Sequence, residues 1–350
     1  MPAVMTQARP GPRNLITDVE GLTVGSAHDV AARTGVTVIL AEGLVAAGCT
    51  VLGGGPGTRE TDALKPENLV GRLDAITLAG GSVYGLAAPE AVTAALGAAG
   101  RGFRVREMAG VPASPLVAGA ILYDLANGGD KAWGLEPPYA ALAREALKAA
   151  GPEFALGTAG AGYGAAAGTL KGGLGSASVV TTDGLSVGAI AAVNSFGSVV
   201  GPDGCSFWAA PFEIDGEFGG TDPAELWAAP DAWPYAKLDP GPRENTTLAV
   251  VATDADLTPA ELKRVAIMAQ AGLARAVRPV FAPFDGDVIF ALSTARRAAP
   301  EPRPLTVARI GALAADCLAR AIARGVFEAR AWPGSDLLDW KAQNGAEAPT

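Results

Sequence analysis

The chain has 350 residues, of which 49% are hydrophobic and 18% charged, and its formal net charge is −9. This composition is typical of a globular protein, and an acidic chain without a Lys/Arg cluster is a poor candidate for binding nucleic acid or an anionic membrane. No apolar run reaches the roughly 18 residues that a membrane span needs, and the polar, Pro-rich residues 1–14 lack the apolar stretch of a signal peptide.

The chain has few cysteines and histidines. Cys49, Cys205 and Cys317 are far apart and odd in number, which predicts neither a disulfide framework nor a CxxC metal pair and fits a reducing cytoplasm. His28 is the one histidine, and it follows Gly-Ser-Ala in what we predict to be a loop with a structural or surface role. A His-rich metal site is excluded, and a Ser-His-Asp hydrolase would have to use His28 as its base.

The first half of the chain predicts alternating strands and helices. The β-branched and apolar runs predict strands at 35–41, 46–52, 74–79 and 114–125. Helices are predicted at 87–99, before Gly100, and at 138–150. Glycine is abundant, with 46 residues, which indicates tight turns and close packing between layers.

The second half continues the alternation after one irregular stretch. Two β-runs, 176–181 and 185–193, flank an Asp-Gly pair that predicts a hairpin. Residues 201–245 hold seven prolines and three tryptophans with little periodicity, which is typical of a functional loop or a boundary. The remaining elements are predicted as a strand at 247–253, a helix opened by the capping box Thr258–Glu261, a strand at 288–293 and a helix at 305–324 before Gly325.

The junction of Asn245 and Thr246 is the first candidate for chemistry. It lies where the irregular loop meets a run of β-formers, so the strand can hold the threonine hydroxyl against the preceding carbonyl. Attack on that carbonyl gives an N→O acyl shift, an ester and then a new N-terminal threonine whose amine can act as a base. Taken alone, the same triplet also fits an ordinary turn that enters a strand.

Four further polar residues lie in or beside apolar runs. Asp285 and Asp287 precede an apolar strand, and if that strand extends back to them both carboxylates project from one face. Such a pair needs a cation, a hydrogen-bond donor or a metal to offset its repulsion, and Lys171, in a Gly-rich apolar stretch, is a candidate partner. Asn194 ends a strand, where its amide can donate to a developing oxyanion. A solvated turn, an exposed lysine and a turn-forming asparagine remain the alternatives.

Together these residues resemble a known family over nearly the whole chain. The chain is similar to the self-processing N-terminal-nucleophile amidohydrolases that include the nylon-oligomer hydrolases and the DmpA-type L-aminopeptidase/D-esterases. The segments that carry the resemblance are 53–62 (GGGPGTRETD), 78–86 (LAGGSVYGL), 120–124 (AILYD), 171–173 (KGG), 193–194 (VN), 245–247 (NTT) and 285–287 (DGD).

The resemblance implies a role for each position. Thr246 would be the nucleophile for self-cleavage after Asn245 and for substrate hydrolysis, with Lys171 beside it to tune proton transfer. Asn194 and Tyr123 would line the oxyanion side. Asp285 and Asp287 would orient the Thr246 amine, Lys171 and water.

The fold implied is α/β, a single αββα layered sandwich of residues 1–350 that matures into fragments 1–245 and 246–350. The resemblance further implies a homo-oligomer, such as a tetramer of processed heterodimers, with no cofactor and no metal. The implied substrate is a small peptide or a linear oligoamide.

Two branches of the family stay open. Aminopeptidase members tend to carry Gly-Ser at the cut, so Asn-Thr and Asp-Gly-Asp favour the nylon-oligomer branch and an endohydrolase. The 53–62 segment and Lys-Gly-Gly resemble the broader aminopeptidase branch. Alternatives of other classes are an acyltransferase like the ornithine acetyltransferases, and a non-catalytic binding protein.

The segment 160–165 matches G-x-G-x-x-A but is not expected to bind a dinucleotide, because glycines interrupt the helix that should follow. The 53–57 glycines lack the Lys-Ser/Thr of a P-loop. We expect them to form a turn that lines the pocket.

Overall fold

The computed structural model describes residues 8–106, 108–221, 233–237 and 245–345. The strands are β1 (Ala8–Arg9), β2 (Leu22–Asp29), β3 (Thr34–Val51), β4 (Thr58–Arg59), β5 (Arg72–Ala79), β6 (Val117–Ile121), β7 (Ala166–Ala167), β8 (Leu170–Lys171), β9 (Gly173–Thr181), β10 (Ser186–Asn194), β11 (Thr246–Ala255) and β12 (Val288–Arg297). The helices are α1 (Ala87–Ala98), α2 (Tyr139–Lys148), α3 (Pro259–Ala276), α4 (Arg303–Phe327) and α5 (Trp340–Gln343).

The long strand β3 joins two groups of strands. Its first half pairs with β2 on one side and β5 on the other, and its second half, after a register shift, pairs with β12. The hydrogen-bonded order is β1-β9-β10-β11-β12-β3-β5-β6-β4, with β2 on β3. Strands β5–β6 and β11–β12 are parallel pairs, and β9–β10–β11 are antiparallel.

Three separate hydrophobic cores show that these strands form the middle of four layers. One core lies between α3, α4 and one face of β10, β11 and β12. A second core joins the opposite face of those strands to β2, β3 and β5, and a third lies beneath α1 and α2. Residues of β11 alternate between the first two cores, with Ala249 and Val251 in one and Leu248 and Val250 in the other. The αββα fold is therefore confirmed.

Glycine and alanine let these layers approach closely. A Cβ at Gly175 of β9 would lie 1.9 Å from the carbonyl oxygen of Ala321 in α4, and one at Gly25 of β2 would lie 1.9 Å from that of Ala146 in α2. Any side chain at these positions would force helix and sheet apart. The glycine-rich composition follows from this geometry.

Most predicted elements are present, with two differences. Residues 35–41 and 46–52 belong to one strand, β3, because each half finds its own partner strand. Helix α4 does not end before Gly325 but runs to Phe327. Gly325 instead provides the close approach of α4 to Gly175, since a Cβ there would lie 2.8 Å from the Gly175 nitrogen.

The structure confirms one smaller expectation and corrects another. The capping box of Thr258 and Glu261 opens α3 as predicted. The only histidine, His28, was expected in a loop and lies instead within β2, with its ring stacked on Tyr163 at a centroid distance of 4.2 Å.

Within the described residues, no helix combines the length and apolar character needed to cross a membrane.

Candidate active site

Thr246 is the first residue of a strand that is hydrogen-bonded on both sides. β11 pairs antiparallel with β10, where Thr246 lies opposite Asn194, and parallel with β12. The side chain is buried, as is that of Asn245. Neighbouring strands on both sides therefore hold the backbone at this junction in one position.

The Thr246 hydroxyl lies against the carbonyl of the residue before it. Its Oγ1 donates to the Asn245 oxygen at 2.5 Å, and the backbone N–H of Gly286 donates to the same oxygen at 2.7 Å. A Cβ at position 286 would lie 2.5 Å from the Thr246 Oγ1. The glycine thus leaves room for the hydroxyl while its N–H polarises the carbonyl.

The Asp285-Gly286-Asp287 segment leads from a turn at 282–285 into strand β12, which begins at Val288. Asp285 also forms a parallel bridge with Asn245, in the register of the β11–β12 pairing. The projection of both carboxylates from one face stays a prediction. The turn is held by the glycine segment that follows β3: Leu52 donates to the Asp287 oxygen at 2.9 Å and Gly55 to the Asp285 oxygen at 2.8 Å. Residues 53–57 thus support the turn behind Thr246.

Both aspartates of this turn are buried, and burial raises the pKa of each. The nearby Asp285 carboxyl raises the pKa of Asp287 further, against hydrogen bonds from backbone N–H groups. One of these bonds is from Thr247 N to Asp287 Oδ1 at 2.6 Å. At Asp285, hydrogen bonds from backbone N–H groups and the charge of Lys237 oppose the rise in pKa but do not reverse it. By accepting from Thr247 N, Asp287 anchors the residue that follows Thr246.

Lys171 does not pair with the two aspartates, contrary to the sequence prediction. Its Nζ donates to the backbone oxygens of Gly162, Ala165 and Gly172 at 3.1, 3.0 and 2.6 Å and lies 4.8 Å from the Trp332 ring centroid. Among the described residues, these backbone oxygens lie closer to the Lys171 Nζ than any carboxylate does. Complete burial lowers the pKa of Lys171 to about 7, with Asp124 and Asp339 opposing the shift. Its role in proton transfer stays a prediction.

The side chain of Asn194 contacts the backbone of Tyr123. The Asn194 Nδ2 donates to the Tyr123 carbonyl oxygen at 3.0 Å, and the Asn194 Oδ1 accepts from Ala166 N at 2.9 Å. Both residues line an open cavity of about 730 Å³. Its other walls come from Arg33, Lys237 and the segment around Trp332. A role for Asn194 or Tyr123 as an oxyanion donor stays a prediction.

Three residues near this site were not singled out from the sequence. Asp124 is buried, accepts from Thr34 Oγ1 at 2.6 Å and Gly81 N at 2.7 Å, and burial raises its pKa to about 6. Asp124 follows Tyr123 in the 120–124 segment of the resemblance, so the sequence carries a signal for it. Trp332 and Lys237 lie in irregular segments, where no periodicity marks a functional residue.

The model of peptidase family S58 matches residues 14–338 of this four-layer fold. The chain therefore belongs to this family and is an amide-bond hydrolase.

Two relatives agree with that assignment. An uncharacterized aminopeptidase of Mycobacterium tuberculosis is 42% identical over 340 residues, which cover 91% of this chain and 94% of the relative. A 6-aminohexanoate-oligomer endohydrolase of Kocuria sp. is 29% identical over 292 residues, or 81% of this chain and 76% of that protein.

The fold is also similar to that of two aminopeptidases of known structure. The β-aminopeptidase of Burkholderia sp. aligns with a TM-score of 0.70 at 24% identity, over 97% of this chain and 93% of that one. The L-aminopeptidase D-Ala-esterase/amidase of Ochrobactrum anthropi, described as a variant of the Ntn hydrolase fold, has a TM-score of 0.69 at 22% identity, over 97% and 95%.

Proposed function

We propose that the chain cleaves its own Asn245–Thr246 bond and then hydrolyses amide bonds with Thr246 as the nucleophile. The observation that carries the proposal is the Thr246 hydroxyl, buried and 2.5 Å from the Asn245 carbonyl oxygen. In the first step Thr246 Oγ bonds to the Asn245 carbonyl carbon. The C–N bond then breaks and the hydroxyl proton goes to the departing nitrogen, which leaves an ester.

Water completes self-cleavage by hydrolysing this ester. It adds a hydroxyl to the acyl carbon and returns a proton to Thr246 Oγ, so that Asn245 ends in a carboxylate and Thr246 begins a second fragment. The free amine of Thr246 then acts as the base for its own hydroxyl, which explains why the chain needs no histidine in this role. Residues 1–245 and 246–350 would stay together, because β11 is paired on both sides with strands of the αββα fold.

For substrates we propose peptides or linear oligoamides, cut internally as by the 6-aminohexanoate-oligomer endohydrolase relatives. Asn-Thr at the cut and the Asp-Gly-Asp turn support this branch. Release of N-terminal residues is the second candidate, favoured by the higher identity to the uncharacterized aminopeptidase of Mycobacterium tuberculosis, 42% against 29%. The cavity beside Asn194 is open at the surface and is large enough for a short chain.

A panel of short amides tests the proposal. The panel contains α-peptides, a β-peptide and 6-aminohexanoate oligomers, each with a free and an acetylated amino terminus. Cleavage of acetylated oligomers identifies an endohydrolase, and cleavage of free termini alone identifies an aminopeptidase. An added amine acceptor that captures the acyl group in place of water identifies an acyltransferase. The proposal is wrong if the purified wild type cleaves no amide, or if Thr246→Ala cleaves amides as fast as the wild type.

We also propose a homo-oligomer, as the family resemblance implies, and a cytoplasmic location, which the three dispersed cysteines favour. Light scattering on the purified protein measures the assembly, and a monomeric mass would overturn that part.

A further inference from the structure

Lys237 contacts the residue that precedes the proposed cut. It lies in the described segment 233–237, where its backbone N–H donates to the Phe196 oxygen at 3.1 Å. Its Nζ donates to the Asn245 Oδ1 at 2.8 Å. The backbone bond fixes the start of the side chain and the Asn245 bond fixes its end.

The charge of Lys237 also acts on the turn behind Thr246. The ammonium group lowers the pKa of Asp285 against the effect of burial. Asn245 and Asp285 are themselves bridge partners, and the Gly286 N–H donates to the Asn245 carbonyl. One ammonium therefore interacts with both chain segments that meet at the Thr246 hydroxyl.

We propose that Lys237 is a positioning residue for self-cleavage, which rests on the proposed function. By holding the Asn245 side chain, Lys237 keeps the Asn245 carbonyl between the Gly286 N–H and the Thr246 hydroxyl. Charge-assisted hydrogen bonds are short and directional, and small misplacements of a reacting carbonyl lower rates strongly. Loss of the ammonium thus slows attack without removing any reacting atom.

The same contact accounts for the charge that self-cleavage creates. Hydrolysis of the ester leaves a new carboxylate on Asn245, which is a buried residue. A buried charge is costly unless an opposite charge or hydrogen bonds offset it. The Lys237 ammonium already touches Asn245 and offsets this new charge.

Single variants measured by the rate of maturation test this role. Cell-free synthesis followed by a chase on denaturing gels gives the rate at which the full-length band disappears. Lys237→Met keeps the methylene stem and removes the charge. We expect cleavage at least about tenfold slower, because one charge-assisted bond that positions the Asn245 side chain is lost. Lys237→Arg restores the cation and most of the rate. Lys263→Met is the matched control, because Lys263 is also half-buried and donates to one backbone oxygen, that of Cys49 at 2.5 Å.

A double-variant cycle shows whether Lys237 acts through Asn245. If it does, Lys237→Met slows cleavage far less in an Asn245→Ala chain than in the wild type. A purely structural role would instead lower the thermal unfolding midpoint of Lys237→Met. The effects of Lys237→Met and Asn245→Ala on the cleavage rate would then multiply. The inference is wrong if Lys237→Met matures at the wild-type rate, if Lys237→Arg is as slow as Lys237→Met, or if the two effects multiply. A wild-type chain that never cleaves itself would contradict the proposed function.

Discussion

The backbone N–H of Gly286 donates to the carbonyl oxygen of Asn245 at 2.7 Å, on the bond that Thr246 is placed to attack. A donor aimed at this oxygen stabilises the negative charge that develops when the hydroxyl adds to the carbonyl carbon. In the proposed self-cleavage, the Asp-Gly-Asp segment would therefore contribute a main-chain donor.

Gly286→Ala is expected to block maturation. The new methyl group would lie 2.5 Å from Thr246 Oγ1 and 3.0 Å from the Gly55 oxygen, so either the hydroxyl or the turn must move. Gly43→Ala is the control, because a Cβ there meets nothing within 4 Å. On denaturing gels Gly286→Ala should remain full-length and Gly43→Ala should mature normally; normal maturation of both would contradict the placement of the hydroxyl.

Asp287 is expected to matter more as a hydrogen-bond acceptor than as a charge. Because burial and Asp285 raise its pKa, Asp287→Asn replaces a group that already favours its neutral form, and it keeps an acceptor for Thr247 N. Asp287→Ala leaves that buried N–H without its partner, which costs about 1–3 kcal/mol. Urea unfolding of intact chains should show Asp287→Ala destabilised by this amount and Asp287→Asn by less. Equal losses would contradict the acceptor role.

The buried Lys171 should make stability depend on pH. Its pKa falls from 10.5 to about 7 on folding, so between these values the unfolded chain binds a proton that the folded chain does not. The free energy of unfolding then rises with pH across this window, by up to about 1.4 kcal/mol per pH unit, and the contribution is flat below it.

Lys171→Met removes that slope. Urea unfolding of Thr246→Ala chains with and without the substitution, at several pH values between about 7 and 10, measures the difference. A difference between the two chains that does not change with pH would show that Lys171 keeps its charge when buried.

The layered fold was largely predictable from local pattern and resemblance together. The β-branched runs and the Thr258 capping box mark elements whose two faces must both be covered, and a run such as 247–253 with no polar face indicates a strand between two layers. The continuity of β3 was not predictable, since a strand that changes partner has the same sequence pattern as two strands.

The site was predictable only where a residue belongs to a recognisable segment. Thr246 pairs with Asn194 across two strands, and its hydroxyl lies beside Gly286 of the Asp-Gly-Asp segment. The sequence favours Lys171 as the partner of the aspartates, whereas Lys171 bonds to backbone oxygens and the charge of Lys237 acts on Asp285. Both are lone lysines in irregular sequence, and only three-dimensional packing decides that the first donates to backbone oxygens and the second to Asn245.

The most direct test of the central claim is the intact mass of the purified wild type, Thr246→Ala and Thr247→Ala. The 35.0 kDa wild-type chain should yield fragments of about 24.5 and 10.5 kDa, in proportion to residues 1–245 and 246–350, with the smaller beginning at Thr246. Thr247→Ala should mature in the same way, and Thr246→Ala should stay at full length. A single wild-type mass of 35.0 kDa, or normal fragments from Thr246→Ala, would contradict the account.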